Sequence, residues 1–235
     1  MPKVLQACLN GSRPRSEHPA VPVAPAELAA AARAAVDAGA DELHVHPRGA
    51  DERDTLEPGP VAGATAAIRA TCPGVPLGLT TGIWAAGGDA RRRLELVAAW
   101  DELPDYVSVN LSEPGFAELC DLVTGRGMGI EAGAWSTEDA AALAVSRVEC
   151  LRVLVEPASG GAEDQLEAAR RIERALREVG IAPPQLHHGA GAQTWRVLAA
   201  ARQRGHDVRI GLEDTTVLPD GSTARDNAEL VAAAL

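Results

Sequence analysis

Aromatic side chains are scarce in this chain. They make up 3% of 235 residues, with one phenylalanine and one tyrosine. Hydrophobic residues still reach 46%, so alanine, valine and leucine must fill the core with small side chains. That length allows one large domain with a sizeable core, or two small ones. Cysteine is sparse too: Cys8, Cys72, Cys120 and Cys150 are scattered, with no CxxC. They read as reduced, mostly inert thiols of a cytoplasmic protein. Positive charge is in deficit. A net charge of -11 argues against nucleic acid and anionic membranes as partners, and any anionic ligand would need a local basic pocket. No apolar run reaches the length of a membrane span, and "MPKVLQACLNG" lacks a signal-peptide pattern. The turn "LNGSRP" also lacks the glycine-rich pattern that usually follows the first strand of an open doubly wound sheet.

What is present is alternation. Short apolar segments such as "ELHVH", "VPLGLTTG", "DYVSVNL", "CLRVLVEP" and "DVRIGLED" take turns with helical stretches such as "APAELAAAARAAVDAGAD" and "AEDQLEAARRIERALREVG". The first of these helices carries proline in its opening turn and glycine near its end. Eight strand–helix units at about 30 residues each predict a TIM (β/α)8 barrel, one domain over 1–235. In that fold the chemistry lies at the C-terminal strand ends. The predicted ends are polar: His44 and His46; Thr80 and Thr81; Ser108 and Asn110; Glu131; Glu156; His187 and His188; Glu213 and Asp214.

His44 and His46 lie two apart in a strand and so face the same way. Two converging imidazoles suit a metal ion, though a strand with one polar face reads the same. In "DVRIGLED", Arg209, Gly211 and Glu213 share a face directed at the barrel axis. Two readings are open there: a structural Arg–Glu pair, or Glu213 as a third metal ligand with an open position left for water or substrate. Arg91, Arg92 and Arg93 open a helix on the catalytic side, where they could meet a phosphate or simply face water. Arg48 could bind a carboxylate or form a structural ion pair. His187 and His188 must diverge. Asn227 and Glu229 read as capping and surface residues.

The blocks "AGADELHVHPR", "LTTG", "VSVN", "RIGLEDT" and "DGSTARDNAELV" together resemble the β-keto acid cleavage enzymes, whose type member cleaves 3-keto-5-aminohexanoate. The resemblance runs from the first strand to the last helix. It implies zinc, or a similar divalent ion, on His44, His46 and Glu213. It implies Asp214 as the base positioned by Arg209, with Glu131, Ser108, Asn110 and Thr80 around the substrate. The reaction implied joins a β-keto acid to acetyl-CoA and yields acetoacetate and a new acyl-CoA, in a protein that associates with copies of itself. Relative to that family the segments after strands four, five and six are short, and "PQLHHGAG" departs from the pattern. The type member carries a glutamate in the loop after strand one, suited to a cationic substrate. Aligned on Gly11, Arg13 stands there instead, which implies a neutral or anionic β-keto acid, such as a keto-diacid, held by Arg13 or Arg15, unless this arginine-rich loop meets the coenzyme's phosphates or faces water. Two alternatives belong to other classes: an amidohydrolase-like metal hydrolase, and a metal-binding barrel without this activity.

Overall fold

The computed structural model describes residues 4–146, 148–157 and 164–235. Eight strands form a closed, all-parallel barrel in chain order: β1 (Leu5–Cys8), β2 (Glu42–Val45), β3 (Leu77–Thr80), β4 (Tyr106–Asn110), β5 (Gly129–Ala134), β6 (Arg152–Val155), β7 (Gln185–His187) and β8 (Asp207–Ile210). The helices are α1 (Pro25–Asp37), α2 (Pro58–Thr71), α3 (Ala90–Ala98), α4 (Phe116–Gly125), α5 (Thr137–Ser146), α6 (Gln165–Glu178), α7 (Thr194–Gln203) and α8 (Asn227–Ala233). The short connection expected after β6, and the expected start of α6 at 162–163, fall on residues 158–163 and lie outside the described residues.

The local signals explain the elements. In α1, Pro25 stands in the first turn and Glu27 accepts hydrogen bonds from the Val23 and Ala24 amides at 3.0 Å each. Those amides lack helical partners, and the carboxylate also suits the positive helix end. Leu28, Ala29, Ala32 and Ala35 form the buried face, and small residues there let α1 lie close to the strands. In α3, Asp89 caps the start by accepting from the Arg91 and Arg92 amides. The arginine run that follows meets protein: Arg91 pairs with Glu95, Arg92 with Glu57, and the fully buried Arg93 with Glu113.

The single tyrosine fills the barrel interior. Tyr106 donates to the Leu43 carbonyl at 2.9 Å and accepts from Gln6 at 2.9 Å. A Cβ on Gly78 would lie 2.0 Å from its ring, so glycine there makes the room. Barrel closure has a similar requirement, since a Cβ on Gly211 would sit 1.9 Å from the Cys8 carbonyl oxygen. That contact lets the segment after β8 fold over the end of β1, where the Glu213 amide reaches the Cys8 carbonyl at 3.3 Å. Among the described residues, no helix is long and apolar enough to cross a membrane. All four cysteines are free, and Cys8, Cys72 and Cys120 are buried.

Candidate metal-centred active site

Strand ends place the site. His44 lies in β2, and His46, two residues on and just past the strand's end, faces the same way. Glu213 stands three residues past β8. One ligand-type atom from each lies within 4.8 Å of the others, and His46 Nε2 is 3.7 Å from Glu213 Oε1. Zinc bonds near 2 Å put tetrahedral ligands about 3.3 Å apart, so small side-chain rotations would close the set. The donors fit such an ion. His44 Nδ1 and Glu213 Oε2 are buried without hydrogen-bond partners. Burial, which outweighs the nearby Glu213 charge, pushes the His44 imidazole down to about 3 and keeps it neutral, as ligation requires. Glu213 is opposite: burial would raise its carboxyl, but the Arg209 guanidinium paired with it holds it well below the usual range. Gly11 has φ +52°, and a Cβ there would meet the Glu213 side chain at 2.3 Å. Only glycine combines that backbone with that space.

Three supporting residues had not been singled out as site residues. Asn10, fully buried, clamps the His46 backbone, accepting from its amide at 2.9 Å and donating to its carbonyl at 2.8 Å. Asp54 accepts from His46 Nδ1 at 2.9 Å and from Trp84 Nε1 at 2.8 Å. That bond fixes the tautomer with Nε2 free to face the ligand set. Asp54 also takes Arg48 at 3.2 Å, which makes Arg48 a structural ion-pair partner. Asn227 is buried, not a surface cap: it accepts from the Leu212 amide at 2.8 Å and donates to the Leu9 carbonyl at 2.9 Å, tying β8 to β1. Glu229 does serve the cap of α8, accepting from the Arg225 amide at 2.6 Å.

A cavity of about 180 Å³ lies over these groups, bounded among others by His44, His46, Thr80, Ser108, Asn110, Glu156, Arg209 and Glu213. Asp214 lies behind that wall with a fully buried side chain. Its Oδ1 accepts from Arg209 Nη2 at 3.1 Å and meets His188 Nδ1 at 3.0 Å. His188 Nε2 is 3.1 Å from Glu156 Oε1. A carboxylate–imidazole–carboxylate cluster therefore runs from the cavity wall inward, hydrogen-bonded between His188 and Asp214 and joined to Glu156 by an ion-pair contact not aligned as a hydrogen bond. Burial and Arg209 disfavour charge on His188, but Glu156 and Asp214 outweigh them and raise it to about 9. The adjacent His187 points outward and stacks on His206.

Two expected site residues stand elsewhere. Glu131 was expected to end β5 and touch substrate. It lies third in a six-residue strand, fully buried one storey below the cavity, bonded to Gln6 at 2.8 Å and Arg152 at 2.7 Å. Arg13 was expected in the substrate pocket. Its guanidinium is held by the Leu212 carbonyl at 2.5 Å, the Glu213 carbonyl at 3.3 Å and Glu17 at 2.5 Å, and it does not line the cavity. Those partners are carbonyls and an acid contributed by its own surroundings, which local sequence does not reveal.

A closed parallel barrel carrying two imidazoles and a carboxylate at its C-terminal rim has the build of a barrel enzyme with a metal-type centre. A family model for beta-keto acid cleavage enzymes matches residues 2–148 and 149–235, and the chain belongs to that family. A 3-oxoadipate:acetyl-CoA acetyltransferase of Cupriavidus necator is 27% identical over 256 residues, spanning 98% of this chain and 86% of that one. Apo ObcA superposes with a TM-score of 0.73 at 17% identity over 91% of this chain, which spans 61% of ObcA's length. Thiamine phosphate pyrophosphorylase from Pyrococcus furiosus gives 0.60 at 13% identity, over 98% of this chain and 93% of that one. At those identities the two structural likenesses concern the barrel fold.

Proposed function

We propose that the protein exchanges acyl groups between a β-keto acid, a keto-diacid foremost, and acetyl-CoA. The observation that carries this is the convergence of His44, His46 and Glu213 beside the Arg209–Asp214 pair, in a chain of this family. The name of the Cupriavidus relative, which acts on 3-oxoadipate and acetyl-CoA, supports the keto-diacid.

His44, His46 and Glu213 would hold zinc or a similar divalent ion, which when bound polarises a keto oxygen and acidifies the carbon between keto and carboxylate groups. Thr80, Ser108 and Asn110 line the wall and offer hydrogen bonds to substrate oxygens. The C2 proton passes to the Glu156–His188–Asp214 cluster. Glu156 is its member on the cavity wall, and Asp214 is the buried end that Arg209 orients. Glu156 takes the proton, since His188 is already charged and has no lone pair to accept one; Asp214 supports that imidazolium from behind and does not touch substrate. The C2 carbon then bonds to the acetyl carbonyl, and the C–S bond breaks. The freed thiolate attacks the original keto carbon, and the C2–C3 bond breaks. The departing acetoacetate carbon takes the proton back, so no redox partner is needed.

The far carboxylate of a keto-diacid would extend into the neighbouring cavity of about 560 Å³, which shares Ser12 and Trp84 with the metal cavity; Arg15 there is paired with Glu27 and Glu52, and Arg48 with Asp54, which leaves Arg53 to meet it. The test mixes the zinc-loaded protein with 3-oxoadipate and acetyl-CoA. Acetoacetate and succinyl-CoA should appear in equal amounts. If neither 3-oxoadipate nor a panel of other β-keto acids gives acetyl-CoA-dependent acetoacetate, the reading fails. C2 proton exchange would then separate a barrel that still activates substrate from one that does not.

A further inference from the structure

On the outside of the barrel, away from the catalytic rim, a second set of ligand-type side chains converges. Glu173 on α6, His187 at the end of β7 and His206 just before β8 each bring one ligand-type atom within 4.8 Å of the others. We propose that these three residues form a second divalent-metal site, distinct from the rim, which pins α6 to β7 and to the α7–β8 connection.

The surrounding bonds are those of a ligand set. His187 is fully buried, and its Nε2 lies 2.9 Å from Gln185 Oε1. An amide oxygen can only accept, so that contact assigns the proton to Nε2 and leaves Nδ1 with a lone pair. Nδ1 is buried and has no hydrogen-bond partner. A buried acceptor without a partner is costly, and a bound cation removes the cost. His206 Nε2 lies 3.1 Å from Glu173 Oε1 but is not aligned as a hydrogen bond. Glu173 Oε2 pairs with Arg204 Nε at 2.9 Å, an ion-pair contact that is not aligned as a hydrogen bond either. That arginine lies on the side of the carboxylate away from His206, which leaves Oε1 facing the histidine.

The rings of His187 and His206 are 4.5 Å apart and 19° from parallel. Ligand atoms up to 4.8 Å apart must draw in to about 3.3 Å around zinc. Glu173 and His206 border an open cavity of about 480 Å³ and have room to move by that much. Two imidazoles and one carboxylate favour zinc or a similar transition ion over magnesium or calcium. The site lies on the outer face of β7 at the level of the start of β8, and none of its three residues lines the rim cavity, so substitution of Glu173 or His206 should not affect turnover.

The test loads the full protein with zinc, dialyses it against metal-free buffer and counts zinc per chain by mass spectrometry. Wild type should retain two ions. His206→Ala and Glu173→Gln should each retain one and keep wild-type turnover, while Glu213→Gln should lose the other ion and the turnover together. Zinc added to the singly loaded wild type should also raise its melting temperature, and should not do so for His206→Ala. One ion per wild-type chain, or two ions retained by both outer-site variants, overturns the proposal. Neither result depends on the reaction proposed for the rim.

Discussion

Arg152→Met gives the sharpest account of what the barrel interior is for. Arg152 Nε lies 2.7 Å from Glu131 Oε1, and its Nη2 also pairs with Glu42. Glu131 is fully buried and the Glu42 side chain is 16% exposed. The variant keeps the volume but leaves two carboxylates facing each other with no cation. Breaking a buried pair from one side costs about 3–5 kcal/mol. Proton uptake caps that cost. Neutralising one carboxyl of ordinary pKa near 4.3 at pH 7 takes about 3.7 kcal/mol, so the loss should sit near the lower end. Unfolding entropy of about 2.1 cal/mol/K per residue, over 235 residues, makes 3–4 kcal/mol a fall of roughly 6–8 °C in Tm.

The pH dependence follows. In the variant the carboxyl is protonated in the fold and ionised in the unfolded chain, so its pKa is raised by folding. Its stability is complete below the unfolded pKa and falls by about 1.4 kcal/mol per unit as pH rises. The variant should therefore lose about 2.7 kcal/mol relative to wild type between pH 5 and pH 7, read by urea unfolding. Adding Glu131→Gln should flatten that slope. Neither residue borders the cavity, so kcat/KM of the folded variant at 20 °C should stay within about tenfold of wild type, or 1.4 kcal/mol. A variant within about 1 kcal/mol of wild type at pH 7 would refute the buried-pair account. A stable protein with turnover reduced 100-fold or more would instead return Glu131 to the chemistry.

Other substitutions probe other levels. Asp54→Asn should weaken zinc binding by about 10–100-fold, since His46 loses the acceptor that sets its tautomer; competition with a chelator measures this, and unchanged affinity would remove Asp54 from the site. Gly211→Ala places a Cβ 1.9 Å from a backbone oxygen and should cost more than about 4 kcal/mol, the range of severe core defects; a fully folded variant with a wild-type urea midpoint would contradict the closure described for β1 and β8. Folding raises His188 from its ordinary value to about 9, so the stability it contributes is complete below pH 6.5 and is lost as pH climbs to 9. The urea midpoint of wild type should fall more steeply over that window than that of His188→Gln, and parallel curves would mean that His188 carries no charge in the fold.

Much of this molecule is legible in its sequence because period and position carry it. The strand–helix alternation gives the barrel, and two histidines two apart in a strand must share a face. Polar residues crowd the strand ends because that rim is open, while strand middles meet helices or one another. What stays hidden is set by tertiary distance. Asp54 sits in a loop after β2 with no periodicity, eight residues from the histidine it supports. Asn10 acts through backbone atoms of a residue 36 positions away. Asn227 resembles a helix cap, which it nearly is in sequence, yet its amide closes the barrel. Arg13 has acceptors at positions 212 and 213, nearly the whole chain away.

Glu131 shows why residue type alone cannot assign a role inside a barrel. Charged side chains facing the axis occupy two storeys here. The lower one joins Gln6, Tyr106, Glu131, Arg152 and Glu42 into a network around the single tyrosine. The upper one holds His44, Glu213 and Arg209. In β8 the inward-facing Arg209 belongs to the upper storey, because the chain turns over β1 immediately beyond it and brings Glu213 back to the same level. In β5 the strand continues for three residues past Glu131, which leaves that carboxylate below. An inward-facing charge therefore reaches the rim or stays below it according to how many strand residues follow it. In a chain with so few aromatics, ion pairs and amides do part of the filling that larger rings would do elsewhere. They need not be near substrate to be required for the fold.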